Sequence, residues 1–104
     1  MIKITKQYYR TNINVPFHNE RVNDVAPVDG TYFRTNYIDT GKMVFISNTI
    51  SEDGLTMSHE SLWIDRETWE AHKNDLQIIQ FYALRDQYNA NNGITFSDTT
   101  VEEI

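Results

Sequence analysis

The sequence predicts an α+β domain of the split βαβ type, a four-stranded antiparallel sheet with two helices on one face. Three observations carry that prediction. Strand-like runs at 2–9, 43–50 and 55–64 are interleaved with helical patterns at 29–40 and 65–92. The polar tetrad Ser51-Glu52-Asp53-Gly54 sits between two of the strands, which is the signature of a hairpin. Read in order, strand, helix, strand, hairpin, strand, helix and a short last strand make two βαβ halves folded onto one sheet.

Composition bounds what such a domain does. At 104 residues the chain has material for one core, so residues 1–104 read as a single domain. Hydrophobic residues at 39% and aromatics at 12% are enough to pack that core. The net charge is -6, with 15 acids against 9 bases scattered singly, and a surface that tracks phosphates needs clustered Lys and Arg. Nucleic acid and anionic membranes are therefore disfavoured as partners. The absence of cysteine removes disulfides, thiolate metal sites and cysteine nucleophiles. The start, Met1-Ile2-Lys3-Ile4-Thr5-Lys6, alternates apolar and polar residues and does not read as a signal peptide. No apolar run approaches the roughly 18 residues of a membrane span. The expectation is a soluble, cytoplasmic protein.

The first strand alternates Ile2, Ile4, Lys6 and Tyr8 against Lys3, Thr5, Gln7 and Tyr9, one face better buried than the other. Residues 11–28 hold no period and are broken by Pro16, Pro27 and several Asn and Asp, so they read as an irregular loop, functional or mobile. His18 in it reads as an exposed loop histidine. Over 29–40, Asp29 is a cap, Phe33 and Tyr37 are one helical turn apart, and Gly41-Lys42 is a stop signal. The stop signal favours a helix, although Thr31, Tyr32, Thr35 and Ile38 equally suit an extended segment. Met43, Val44, Phe45 and Ile46 are consecutive apolar residues, which predicts a strand buried on both faces.

The return strand carries Leu55, Met57, His59, Ser61 and Trp63 on one face. Asp65 caps the following helix, with Glu67 near its positive end. Trp69, His72, Leu76, Ile79 and Ala83 recur at spacings of three and four, a packing stripe, while Asn74-Asp75 mark a kink or restart with Asn74 as a new cap. Asn91-Asn92-Gly93 ends the helix, residues 94–96 begin a short strand, and residues 97–104 read as a fraying tail. A sheet covered by helices on one side and apolar on the other predicts a homodimer, the second sheet covering the open face.

The stretch Leu62-Trp63-Ile64-Asp65-Arg66-Glu67-Thr68-Trp69-Glu70-Ala71-His72 resembles the third strand and second helix of the ferredoxin-like, dimeric α+β barrel superfamily, which includes the antibiotic biosynthesis monooxygenases. Residues 36–42 and 51–56 further resemble small uncharacterised proteins of tailed marine phages, which implies the host cytoplasm as location. The superfamily resemblance implies a cavity between sheet and helices. Haem degradation needs a histidine later on the second helix and an asparagine on the first strand. Here those regions hold Ile79, Gln80 and Phe81, and Gln7, Tyr8 and Tyr9.

Two functional readings follow. The first is a non-catalytic dimeric binding or interaction module of phage origin. The second is a cofactor-independent monooxygenase or a binder of a small apolar or aromatic ligand, its cavity lined by Tyr8, Phe45, His59, Trp63 and Trp69. His59, on the face of Met57 and Trp63, is the candidate general base, unless it is a structural residue paired with a neighbour such as Ser47. His72, in the packing stripe, reads as a hydrogen-bonded structural residue. Metal binding is not expected: His59-Glu60 is followed by Trp63 where a zincin helix needs histidine, and it lies on a strand. The four glycines form neither a dinucleotide fingerprint nor a phosphate loop, and no cofactor is expected.

Overall fold

The computed structural model describes residues 1–104. It is an α+β fold, a five-stranded antiparallel sheet with three helices. Strand β1 (Ile2–Tyr9) is followed by a long loop. Helix α1 starts as Thr31–Phe33 and continues as the π-helical turn Arg34–Ile38. Strands β2 (Met43–Ile50) and β3 (Thr56–Trp63) form the hairpin, and α2 (Arg66–His72) and α3 (Leu76–Asn91) follow. The chain closes with β4 (Thr95–Phe96) and β5 (Thr100–Glu103). The strand order is β2-β3-β1-β4, and β5 also pairs with β1. No helix is long and apolar enough to cross a membrane.

Residues 97–104, where polarity predicts fraying, instead complete the sheet. Thr100 to Glu103 pair with Thr5 to Ile2, Val101 packs on the core, and Arg66 holds Glu103 at 2.8 Å. The open edge of β1 supplies the unpaired backbone groups that draw the tail in.

The predicted helix at 29–40 is present, tightened by Asp29, whose Oδ1 accepts from the Thr31 amide at 3.0 Å. Gly41 ends it at φ +78, a conformation open to glycine. The long second helix is broken in two. Asp65 Oδ1 caps α2 by accepting from the Thr68 amide at 2.7 Å, and the restart falls at Asp75, one residue beyond Asn74, where Oδ1 accepts from the Gln77 amide at 3.0 Å. This break resets the helical phase, so the stripe predicted through Leu76 and Ile79 does not continue: Leu76 is 80% exposed and Ile79 48%. The inward side of α3 is Ile78, Phe81, Tyr82, Arg85, Tyr88 and Asn89.

The apolar run of β2 has a different cause from the one predicted. A β-bulge between Met43 and Phe45 inserts Val44, so Met43 opposes Trp63 while Phe45 opposes Leu62. Val44 and Phe45 are exposed at 53% and 57%. Apart from Leu62 and Tyr9 the remainder of their sheet face is polar: Lys3 pairs with Glu60 at 3.6 Å, Gln7 donates to Ser58, and Thr5, Ser47 and Thr49 stand beside them. Consecutive apolar residues here come from a slip in register and do not mean burial on both faces.

The opposite sheet face forms the core, in two parts. Ile2, Ile4, Met43 and Trp63 pack with Tyr37, Trp69 and Ile78 from the helices. Tyr8 and Met57 pack with Phe17 and Ile94. The long loop belongs to this second part. Arg10 donates from Nε to the Gly54 carbonyl at 2.7 Å and from Nη1 to the Val15 carbonyl and Glu20 Oε1, both at 2.8 Å, and its guanidinium lies 4.2 Å from the centre of the Phe17 ring. Tyr88 of α3 donates to the Pro16 carbonyl. So anchored, the loop carries His18 inward; it is 6% exposed, and the exposed loop histidine of the sequence reading is corrected.

Candidate functional site

The two core clusters do not meet, because a polar row runs between them. On the core side of the sheet Trp63 opposes Ile2 and Met43, and Ser61 opposes Ile4 and Ile46. His59 then opposes Lys6 and Asn48, and Met57 opposes Tyr8 and Ile50. The third of these rows, Asn48-His59-Lys6, puts three polar side chains where the alternation calls for apolar ones. Polar groups in such positions cost stability unless they are satisfied. Around this row and the small Ser61 lies a cavity of about 350 Å³, roofed by Phe33, Phe81, Tyr82 and Arg85 from the helices and entered by His18 and Asn19 from the loop.

His59 presents Nδ1 to Asn48 Oδ1 at 2.7 Å. With the amide oxygen as acceptor, Nδ1 carries the proton and Nε2 keeps a lone pair with no partner in the chain. Burial, then the charges of Arg85 and Lys6, push its pKa down to about 4, so the ring is a neutral base at pH 7. Its partner is Asn48 and not the predicted Ser47, which stands on the other face.

His18 lies edge-on to Tyr8 with ring centres 5.0 Å apart. Burial, with Arg85 next, pushes its pKa down to about 3, and Nδ1 is buried without a partner. His72 is different, being fully satisfied. Its Nδ1 donates to the Trp69 carbonyl, Nε2 accepts from Tyr82 Oη at 2.8 Å, and the ring lies 4.5 Å from that of Trp63. It is a structural pin between α2 and α3, and burial holds its pKa below the ordinary range.

The cations are arranged with equal economy. Lys6 makes no ion pair and holds its ammonium 4.3 Å from the centre of the Phe96 ring; burial and the charge of Arg85 lower its pKa. Arg85 stacks 4.3 Å from the centre of Tyr82 and bonds Asp86 through Nε at 3.0 Å, leaving its terminal nitrogens without partners. Burial carries the Tyr82 hydroxyl up to about 12, which keeps it a hydrogen-bond donor at all ordinary pH.

Of the residues singled out in the sequence, Tyr8, His59, Trp63 and Trp69 line this one cavity. Phe45 does not, since the bulge turns it to the opposite face. Lys6, His18, Asn48 and Arg85 were not expected there. A charged residue in phase with Ile2, Ile4 and Tyr8 was the one signal the sequence offered for Lys6. No three or more His, Cys, Asp or Glu side chains gather as metal ligands. Compared with family models, curated proteins and solved structures, the chain gives no match.

Proposed function

We propose that this chain is a ferredoxin-like, non-catalytic binding module that takes a small, largely aromatic ligand into the cavity between sheet and helices. The observation that carries the reading is the Asn48-His59-Lys6 row, which interrupts the core around about 350 Å³ of open space. That volume lies at the lower end of ligand pockets, and aromatic walls with a few convergent polar groups are their usual lining. The strand order β2-β3-β1-β4 supports the ferredoxin-like assignment, as does the resemblance of residues 62–72 to the dimeric α+β barrel superfamily. Thermal denaturation with neutral aromatic probes, benzyl alcohol and methyl para-hydroxybenzoate, tests it. The expected result is saturable stabilisation that Ile46→Phe, which fills the cavity floor, abolishes. Stabilisation absent from the wild type, or unchanged by Ile46→Phe, contradicts the reading.

A catalytic reading has one specific support, the free lone pair of His59 Nε2. In it Lys6 and Arg85 stabilise a bound phenol as its phenolate while His59, at about 4 too weak a base to take the proton alone, accepts the hydrogen bond that orients the hydroxyl, opening cofactor-independent oxygenation. Oxygen consumption that His59→Gln abolishes without loss of binding is its signature, and no consumption with any bound phenol removes it. A homodimer has separate support in exposed Val44 and Phe45 beside Leu62. The polar remainder of that face keeps the apolar area small.

A further inference from the structure

The charge of the cavity is opposite to that of the protein. The chain carries a net charge of -6, yet no Asp or Glu lines the cavity, whereas Lys6 and Arg85 do, with Arg34 and Lys73 at its exposed side. Lys73 is held by Glu70 at 3.4 Å, but Lys6 has no carboxylate within ion-pair distance, and the terminal nitrogens of Arg85 are unpaired. Two cations brought together repel each other, and the one carboxylate paired with either, Asp86 on Arg85 Nε, is not among the residues that line the cavity. His18, 6% exposed, adds a buried ring nitrogen without a partner.

The rows of the sheet set a length. Same-face residues on a strand are about 6.6 Å apart, roughly the width of one aromatic ring. The row of Trp63 is packed shut, as are Ile4 and Ser61 in the next row, so the open floor is Ile46 and the row of Lys6 and His59 is the charged end. A ring over Ile46, beneath Phe33 and Phe81, therefore brings its substituent to the row of Lys6 and His59, with Arg85 also lining that space. Arg and Lys together suit an oxyanion, Arg through its planar fork and Lys as a point charge. The lone pair of His59 Nε2 suits a hydroxyl hydrogen on the same ring.

We propose that the ligand is a small hydroxylated aromatic carboxylate, its anionic group held by Lys6 and Arg85 and its ring over Ile46 beneath Phe33 and Phe81. The proposal rests on the binding reading above. The burial that keeps Lys6 and His59 poised also strengthens each contact with an anion.

Titration calorimetry of the full chain with para-hydroxybenzoate and with its neutral methyl ester tests it. The wild type is expected to bind the carboxylate about tenfold or more tightly than the ester, as charge-assisted hydrogen bonds give. The preference is expected to fall towards unity in Lys6→Met and in Arg85→Met. If either variant loses its thermal transition, the carboxylate-to-ester ratio in the wild type decides alone. Ester affinity equal to or above that of the carboxylate overturns the anion assignment and leaves the cavity reading standing. A carboxylate preference untouched by either folded variant overturns the assignment of Lys6 and Arg85. No saturable binding of either compound overturns the binding reading itself.

Discussion

His59 and His18 are kept neutral by burial and by the positive charge of Arg85, and neutrality in a folded chain has a measurable consequence. An unfolded histidine titrates near 6.5, about where an exposed imidazole does. The folded values are lower, about 4 and about 3, so between 6.5 and those values the unfolded chain binds more protons. The stability that depends on keeping them neutral is complete above pH 6.5 and is lost as pH falls through that window. The urea midpoint is expected to drop steadily from pH 7 to pH 4, and less steeply in His18→Gln. A midpoint that is flat over this range, or that rises on acidification, contradicts the placement of both rings. The carboxylates of Asp29, Asp53, Asp65 and Asp75, held low by their hydrogen bonds, act in a more acidic window.

The helical elements are tied together by single polar residues. Asp75 caps α3 through Oδ1, while its Oδ2 accepts from Tyr32 at 2.8 Å and Tyr37 at 2.6 Å, so one carboxylate joins α1 to the start of α3. Asp75→Ala is expected to cost roughly 1 to 3 kcal/mol in denaturant unfolding, the cap together with two hydrogen bonds. A loss indistinguishable from zero means the tie is not formed. Arg10 does the same for the long loop. Arg10→Met removes the counter-charge of Glu20, which keeps the Phe17 amide as a donor, leaves two carbonyls unpaired, and is expected to cost roughly 2 to 4 kcal/mol, less than a fully buried pair because Glu20 keeps some solvent. It is also expected to open residues 11–28 to limited proteolysis, and a loop as resistant as in the wild type contradicts the clasp. Trp69, 8% exposed in the first core cluster, is expected to cost roughly 3 to 5 kcal/mol on truncation to Ala.

Elements whose ends carry local chemistry were legible in the sequence. Asp65 and Gly41 are boundaries because a cap and a left-handed turn need those residue types, and the Ser51–Gly54 hairpin holds because Gly54 takes φ +76. Features set by register were not legible. Nothing in Met43-Val44-Phe45-Ile46 marks the bulge, which exists only relative to β3, and Asn74-Asp75 announce a break without giving the new phase of α3. The tail pairs with β1 for a reason that lies in β1.

At the scale of the molecule, the sheet separates two unlike faces. The outer face is polar apart from Tyr9 and the patch of Val44, Phe45 and Leu62, and sedimentation equilibrium at micromolar concentration measures whether that small patch associates. A dimer that Phe45→Lys dissociates supports a sheet-to-sheet contact, and a monomer throughout removes it. The inner face holds the cavity, and half of its logic was visible beforehand. His59 and Trp63 share a strand face by alternation alone, Tyr8 lies on the better-buried face of the first strand, and Trp69 follows one turn into the helix. Lys6, His18, Asn48 and Arg85 come from four separate segments, and their convergence is a property of strand order and of the Arg10 clasp, which no local pattern encodes.

The gap proposed to receive a ligand lies between the two core clusters, and Trp63 and Trp69, the only tryptophans, both line it. Trp63 Nε1–H donates to Ser61 Oγ at 3.1 Å beside the cavity floor. The most direct measurement is a nitrogen-proton NMR titration of the full chain with para-hydroxybenzoate, following the two indole signals. Saturable shifts of the Trp63 indole together with the amides of Ser61 and Lys6 are expected. Shifts confined to exposed residues, with both indoles unmoved at saturating probe, contradict binding in that gap.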